Sequence, residues 1–211
     1  MSKQKVQWLV ITDLDGTLLN HHSYDFDAAK NAIVELQKRS IPVILNTSKT
    51  YAETITIRQG LDLADAFIVE NGSCIYLPKN QFAKPLAASS REDYWELVIG
   101  ASQKKIDQVL QRIKLTENNC IRLSQCSIKQ AVALTGLTNE QAAQAINREF
   151  SEPLIWQANE TTLIELQQQL KLNAMTTLQG GRFLHVIGDC DKGRATARLI
   201  KCYAHNVKTI I

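Results

Sequence analysis

Apolar positions along the first third of the chain alternate between short continuous runs and stretches with helical spacing. Residues 6–12, apolar without a break from Trp8 to Ile11, have the pattern of a strand buried on both faces. Ala29, Ile33 and Leu36 then recur at helical spacing, with Asp27 placed to cap that helix. A second strand is expected over 42–46, a short helix over 51–58 closed by Gly60, and a third strand over 66–70. Asn71-Gly72 turns the chain into a strand over 74–77, a hairpin signal. Strand and helix in this order predict a parallel sheet covered by helices, an α/β fold.

The pattern changes after Pro78. Residues 79–91 are polar and carry Pro85, Ser89 and Ser90, as a crossing between domains would. Beyond them the spacing predicts a strand over 94–99 and helices over 105–113 and 128–134. A capping box at Thr138–Gln141 opens a helix that should reach Phe150. A strand over 154–156, a helix over 162–170 and strands over 174–178 and 183–187 follow, the last two joined through Gly180-Gly181. The first pattern returns with a helix over 192–204 and a strand over 207–211. The organisation expected is a core domain (1–82 and 188–211) interrupted by an inserted α/β domain (83–187), each of ordinary domain size.

Composition narrows the class. The 211 residues are 45% hydrophobic and 21% charged, as in a globular protein with a sizeable core. A net charge of +3, with no block of Lys or Arg, argues against nucleic acid as a partner. No apolar run approaches the roughly 20 residues of a membrane span, and no signal-peptide pattern opens the sequence. The five cysteines are odd in number and irregularly spaced, which points to buried thiols and a reduced, cytoplasmic setting.

The first apolar run discharges into Asp13-Leu14-Asp15-Gly16-Thr17. Side chains two apart on a strand share a face, so both carboxylates can converge on one ligand, and Gly16 permits the sharp turn that follows. The carboxyl end of a strand is where ligands bind in open α/β sheets. An acidic pair there suits a carboxylate nucleophile with an acid/base partner, a magnesium site, or both. The strand over 42–46 ends in Thr47-Ser48-Lys49-Thr50, three hydroxyls and a cation at another carboxyl end. Asp191-Lys192-Gly193 opens a helix, and a lysine there adds charge where anions already bind well. No Gly-x-Gly-x-x-Gly follows the first strand, which argues against a dinucleotide-binding domain.

Together these pieces resemble the haloacid dehalogenase-like phosphohydrolases with a large inserted α/β cap. The motif Asp13-Leu14-Asp15-Gly16-Thr17 is similar to the first of that family, Thr47 to the second and Lys192 to the third. Val69-Glu70-Asn71-Gly72, Thr135-Gly136-Leu137, Arg148–Pro153 and Gly180-Gly181-Arg182-Phe183-Leu184-His185 extend the likeness over nearly the whole chain. The resemblance implies a Rossmann-like core with a cap, and a magnesium-dependent phosphomonoesterase as its activity. Asp13 would attack phosphorus and Asp15 would serve as acid, then base. That work needs a carboxyl holding its proton, which a neighbouring carboxylate favours. Mg2+ would take an oxygen of Asp13 and the main-chain carbonyl of Asp15. Thr47 would bind a phosphate oxygen and Lys192 would balance charge.

The implied substrate is a small phosphorylated sugar acid, with Ser48, Lys49, Asn71, Arg148, Arg182 and His185 as its ligands. Plainer readings stand beside these. Thr47 fits a helix N-cap, Lys49 and Lys192 fit solvated lysines, and His185 fits a strand histidine. Arg148 fits a pairing with Glu149 or Glu152; Arg182 ranks ahead of Arg148 and His185. Asp189 and Asp191 read as caps of the helix that carries Lys192. The family's fourth motif, a Gly-Asp-x-x-x-Asp loop, follows the strand that residues 207–211 resemble, and the sequence stops at Ile211. A core incomplete at its C-terminus, a weakened metal site, low activity and self-association through the open sheet are the expectations. A broader sugar-phosphate phosphatase and a catalytically impaired remnant are the alternative readings.

Overall fold

The computed structural model describes residues 8–19, 25–116, 118–203 and the backbone of 208–210. The chain divides into two compact units, Met1–Val98 with Asp191–Ile211, and Ile99–Cys190.

The first unit is built on a seven-stranded sheet: β1 (Trp8–Thr12), β2 (Val43–Asn46), β3 (Phe67–Val69), β4 (Cys74–Pro78), β5 (Ser89–Arg91), β6 (Tyr94–Val98) and β11 (Lys208–Ile210), in the order β11-β1-β2-β3-β4-β6-β5. The first four in that order are parallel, with Val10 opposite Val43 and Leu45 opposite Phe67. The other three add antiparallel. The sheet is therefore mixed. Every residue of β2, β3 and β4 is buried, and this is why they read as unbroken apolar runs. Helices α1 (Asp27–Lys38), α2 (Tyr51–Gly60) and α7 (Lys192–Ile200) complete the unit, α1 against β2 and α7 against β3 and β4. Residues 6–7, 204, 207 and 211 of the expected elements lie outside the described residues.

The second unit is a four-stranded antiparallel sheet in the order β7-β8-β10-β9. Its strands are β7 (Cys120–Arg122), β8 (Ser151–Trp156), β9 (Met175–Gly180) and β10 (Phe183–Gly188), accompanied by helices α3 (Gln103–Ile113), α4 (Ile128–Thr135), α5 (Asn139–Ile146) and α6 (Glu160–Lys171). Leu184 and Val186 pack with Ile106, Leu110, Leu166 and Leu170 from α3 and α6. Phe183 packs instead with Leu123, Ala131 and Ala142 under α4 and α5. That split follows the strand alternation, which sends neighbours to opposite faces. Capping boxes at Ser127 and Thr138 start α4 and α5, and Gly136, at φ 78°, stops α4.

The unit boundaries differ from the expected 83–187. Tyr94–Val98 pairs along β4, from Cys74↔Val98 to Pro78↔Tyr94, and brings β5 with it. The polar stretch before it is a return within the first unit rather than a crossing. Asp27 does not cap α1; it is the first helical residue, after Phe26, and pairs with Lys30 at 2.7 Å. A carboxylate in the first turn suits the helix dipole as well as a cap would. The helix opened by Thr138 ends at Ile146, short of Phe150.

Candidate active site

The loop after β1 turns on Leu14, which is fully buried and whose carbonyl accepts from the Thr17 and Leu19 amides. With Leu14 anchored and Gly16 at φ 70°, Asp13 and Asp15 are left partly exposed, their side chains 43% and 39% accessible. Asp13 Oδ1 accepts the Leu14 amide at 2.7 Å, and Oδ2 lies 2.7 Å from Lys192 Nζ. Asp15 Oδ1 lies 2.9 Å from Lys49 Nζ, which also faces Glu53 at 3.8 Å. Two carboxylates thus face two cations at the end of β1.

Thr47 follows β2 and is fully buried. Its amide donates to Ile68, its carbonyl accepts from Asn71, and its Oγ1 accepts the Lys49 amide at 3.1 Å. It is not the cap of α2: Thr50 is, in a capping box with Glu53. Lys49 is no solvated lysine either, since its side chain is 13% accessible and paired. The turn after β3 places Glu70 and Asn71 at φ 48° and 60°, before Gly72 at 91°. Left-handed non-glycine residues cost about 1–3 kcal/mol at most and gather at functional sites. Asn71 is 4% exposed, and its buried Nδ2 has no partner within the described residues.

Gly72 brings this turn against the start of α7. A Cβ there would stand 2.8 Å from the Lys192 amide nitrogen and closer still to the Asp191 carbonyl. Asp191 caps α7, accepting the Arg194 amide at 2.7 Å. From β2, Asn46 Nδ2 donates to the Lys192 carbonyl at 3.1 Å and to Thr196 Oγ1 at 3.0 Å. Asn46 was absent from the sequence expectation; the one signal is an amide ending an otherwise apolar strand. The structure therefore brings Asp13, Asp15, Thr47, Lys49, Asn71 and Lys192 into one network, with Ser48 in the loop between Thr47 and Lys49.

Arg148, Arg182 and His185 belong to the second unit. Arg148 Nε donates to the Ala145 carbonyl at 3.0 Å and Nη1 to Ser151 Oγ at 3.4 Å. Arg182 Nη1 donates to the Leu134 carbonyl at 2.7 Å, at the end of α4. His185 is 5% exposed; burial, then the nearby Arg148 charge, pushes it down to about 3, so it is neutral at pH 7. Glu152 is fully buried and is held by Arg122 at 2.6 Å, by Gln103, and by the Ser124 amide and hydroxyl.

An acidic pair thus stands at the carboxyl end of a central parallel strand, with a buried threonine at the next strand and a lysine on a helix N-terminus. The chain belongs to the haloacid dehalogenase-like hydrolases, whose family model matches residues 10–211. It is 32% identical over 199 residues to a glucosyl-3-phosphoglycerate/mannosyl-3-phosphoglycerate phosphatase of Persephonella marina, spanning 94% of this chain and 73% of that one. To the mannosyl-3-phosphoglycerate phosphatase of Pyrococcus furiosus it is 30% identical, over 92% of this chain and 78% of the relative. The fold is similar to a haloacid dehalogenase-like hydrolase from B. subtilis, with a TM-score of 0.60 at 16% identity, covering 92% of this chain and 78% of that one. A second, from Bacteroides thetaiotaomicron, gives a TM-score of 0.62 at 15% identity over 93% and 77% of the two chains.

Proposed function

We propose that the protein hydrolyses a phosphomonoester through an aspartyl-phosphate on Asp13, with mannosyl- or glucosyl-3-phosphoglycerate as the substrate. The observation that carries this reading is Asp13 set 2.7 Å from Lys192, beside Asp15 and Thr47, at the carboxyl ends of β1 and β2. The named activities of the relatives supply the substrate.

In the first half-reaction an Asp13 oxygen bonds to phosphorus and the P–O bond to the sugar acid breaks. Asp15 gives its proton to the departing alkoxide. In the second, water attacks the aspartyl-phosphate, Asp15 takes its proton, and phosphate leaves as Asp13 is regenerated. Lys192 offsets the charge of carboxylate and phosphoryl group, a task for which a point cation serves. The Thr47 hydroxyl and the unpartnered Asn71 amide are donors for phosphoryl oxygens, and Ser48 and Lys49 extend that set toward the rest of the substrate.

Magnesium is held by one or two carboxylates alongside several waters, and Asp13 supplies one such carboxylate, so the donor chemistry fits that ion. Among the described residues, no group of three or more His, Cys, Asp or Glu side chains converges. Asp13 and the main-chain carbonyl of Asp15 would hold Mg2+, which supplies charge compensation at the phosphoryl group. Arg148 and Arg182 of the second unit carry forked guanidinium groups of the kind that bind carboxylates, whereas neutral, buried His185 suits no ionic contact. No helix of the described residues is long and apolar enough to cross a membrane. The five free cysteines fit the reduced, cytoplasmic setting proposed for the chain.

A substrate panel tests the assignment. Phosphate release should favour mannosyl- and glucosyl-3-phosphoglycerate over simple hexose phosphates. Equal rates across the panel would replace this reading with a general sugar-phosphate phosphatase.

A further inference from the structure

Lys192 sits on the first turn of α7, and charge alone does not fix where that turn lies. Two contacts hold it against the sheet, one from a backbone turn and one from a side chain. One is the Gly72 turn, whose lack of a side chain lets it abut Asp191 and Lys192. The other is Asn46. Its side-chain amide nitrogen spans the Lys192 carbonyl at 3.1 Å and Thr196 Oγ1 at 3.0 Å, joining the end of β2 to one turn of helix. The orientation of that amide follows from its partner: a main-chain carbonyl only accepts, so Asn46 must present its NH2 group. Asn46 is 6% exposed and Thr196 8%, so water does not compete freely for these bonds.

We infer that Asn46 is a positioning residue that acts through Lys192, fixing the α7 N-terminus so that Nζ meets Asp13. The inference rests on the phosphatase reading for its kinetic consequence, but not for its structural one. Asn46 Oδ1 is buried with no partner among the described residues, so the amide's value lies in its donor half. Replacement by leucine, similar in shape and uncharged, removes the donor and strands no buried polar atom on residue 46 itself.

The test compares the rate at which an amine-acylating reagent labels Lys192 and Lys49, read by peptide mass spectrometry, in the wild type and in Asn46→Leu. Lys49 reports on the same network but is tethered by the loop after Thr47, so it serves as an internal reference. In Asn46→Leu, Lys192 should be labelled several-fold faster while Lys49 keeps its wild-type rate. Thr196→Val, which keeps the bond to the Lys192 carbonyl, should fall near the wild type. On the phosphatase substrate, kcat of Asn46→Leu should drop by about a hundredfold with KM nearly unchanged, the effect of a small misplacement of a charge that acts in the transition state. Asn46→Ser, a smaller change, repeats the comparison if the leucine variant does not fold. Unchanged labelling of Lys192, or an equal rise at Lys49, overturns the inference. Faster labelling of Lys192 alone in a protein without phosphatase activity would uphold it and reject the proposed function.

Discussion

Asp13 and Lys192 lie 2.7 Å apart with side chains 43% and 32% accessible, so water screens much of their attraction. A pair this exposed contributes about 1 kcal/mol or less to stability. Under the proposed function its weight is chemical. Lys192→Ala should leave the melting temperature within a few degrees of the wild type and lower phosphate release by about two to three orders of magnitude. A large fall in melting temperature would make Lys192 a structural residue instead. His185 makes the opposite argument. Held near 3 in the fold, against about 6.5 in the unfolded chain, it binds a proton on unfolding across that window. The unfolded state therefore gains relative to the native one as pH falls below about 6.5, by up to about 1.4 kcal/mol per pH unit from this group. Denaturant unfolding at pH 7 and pH 5 should show that loss in the wild type and a smaller one in His185→Leu. Equal losses would reject the linkage.

At the scale of elements, the turn at Gly72 couples β3 to α7. Gly72→Ala would push a methyl into the Asp191 carbonyl at a backbone angle of 91°, and should destabilise the first unit by at least about 1 kcal/mol in denaturant titration. No loss of stability would mean that the close approach is easily relaxed. Local sequence was a good guide to elements whose signals are local. The run ending at Thr12, the helix capped by Asp191 and the box at Thr138 were all legible, because apolar spacing and caps are written within a few residues. Partner choice is not so written. Nothing within Tyr94–Val98 distinguishes pairing with β4 from pairing inside the second unit, so the boundary fell late in the structure relative to expectation. The residues proposed as catalytic stand out as motifs, yet the contacts that support them do not. Asn46 reaches residues 146 and 150 positions away, a separation that no periodicity encodes.

Over the whole molecule, each unit has its own sheet and its own buried charge. In the second unit Glu152 is fully buried, and Arg122, Ser124 and Gln103 all converge on it. Arg122 also pairs with Asp107, so Glu152→Ala leaves the guanidinium one carboxylate but strips Gln103 and the Ser124 amide of their acceptor, and should destabilise that unit by about 1–3 kcal/mol in a denaturant titration. A cost under about 1 kcal/mol would show that the existing pair with Asp107 suffices to hold Arg122. The first unit carries the chemistry proposed for the chain, and that chemistry turns on a single bond between Asp13 and phosphorus. Acid-quench trapping of the phosphoenzyme addresses it directly, using substrate labelled in its phosphate and mapping the label by mass spectrometry in the wild type and Asp13→Asn. Label on Asp13 in the wild type, with none in a folded Asp13→Asn protein that also releases no phosphate, is the predicted result. Phosphate release that survives in Asp13→Asn would contradict the account.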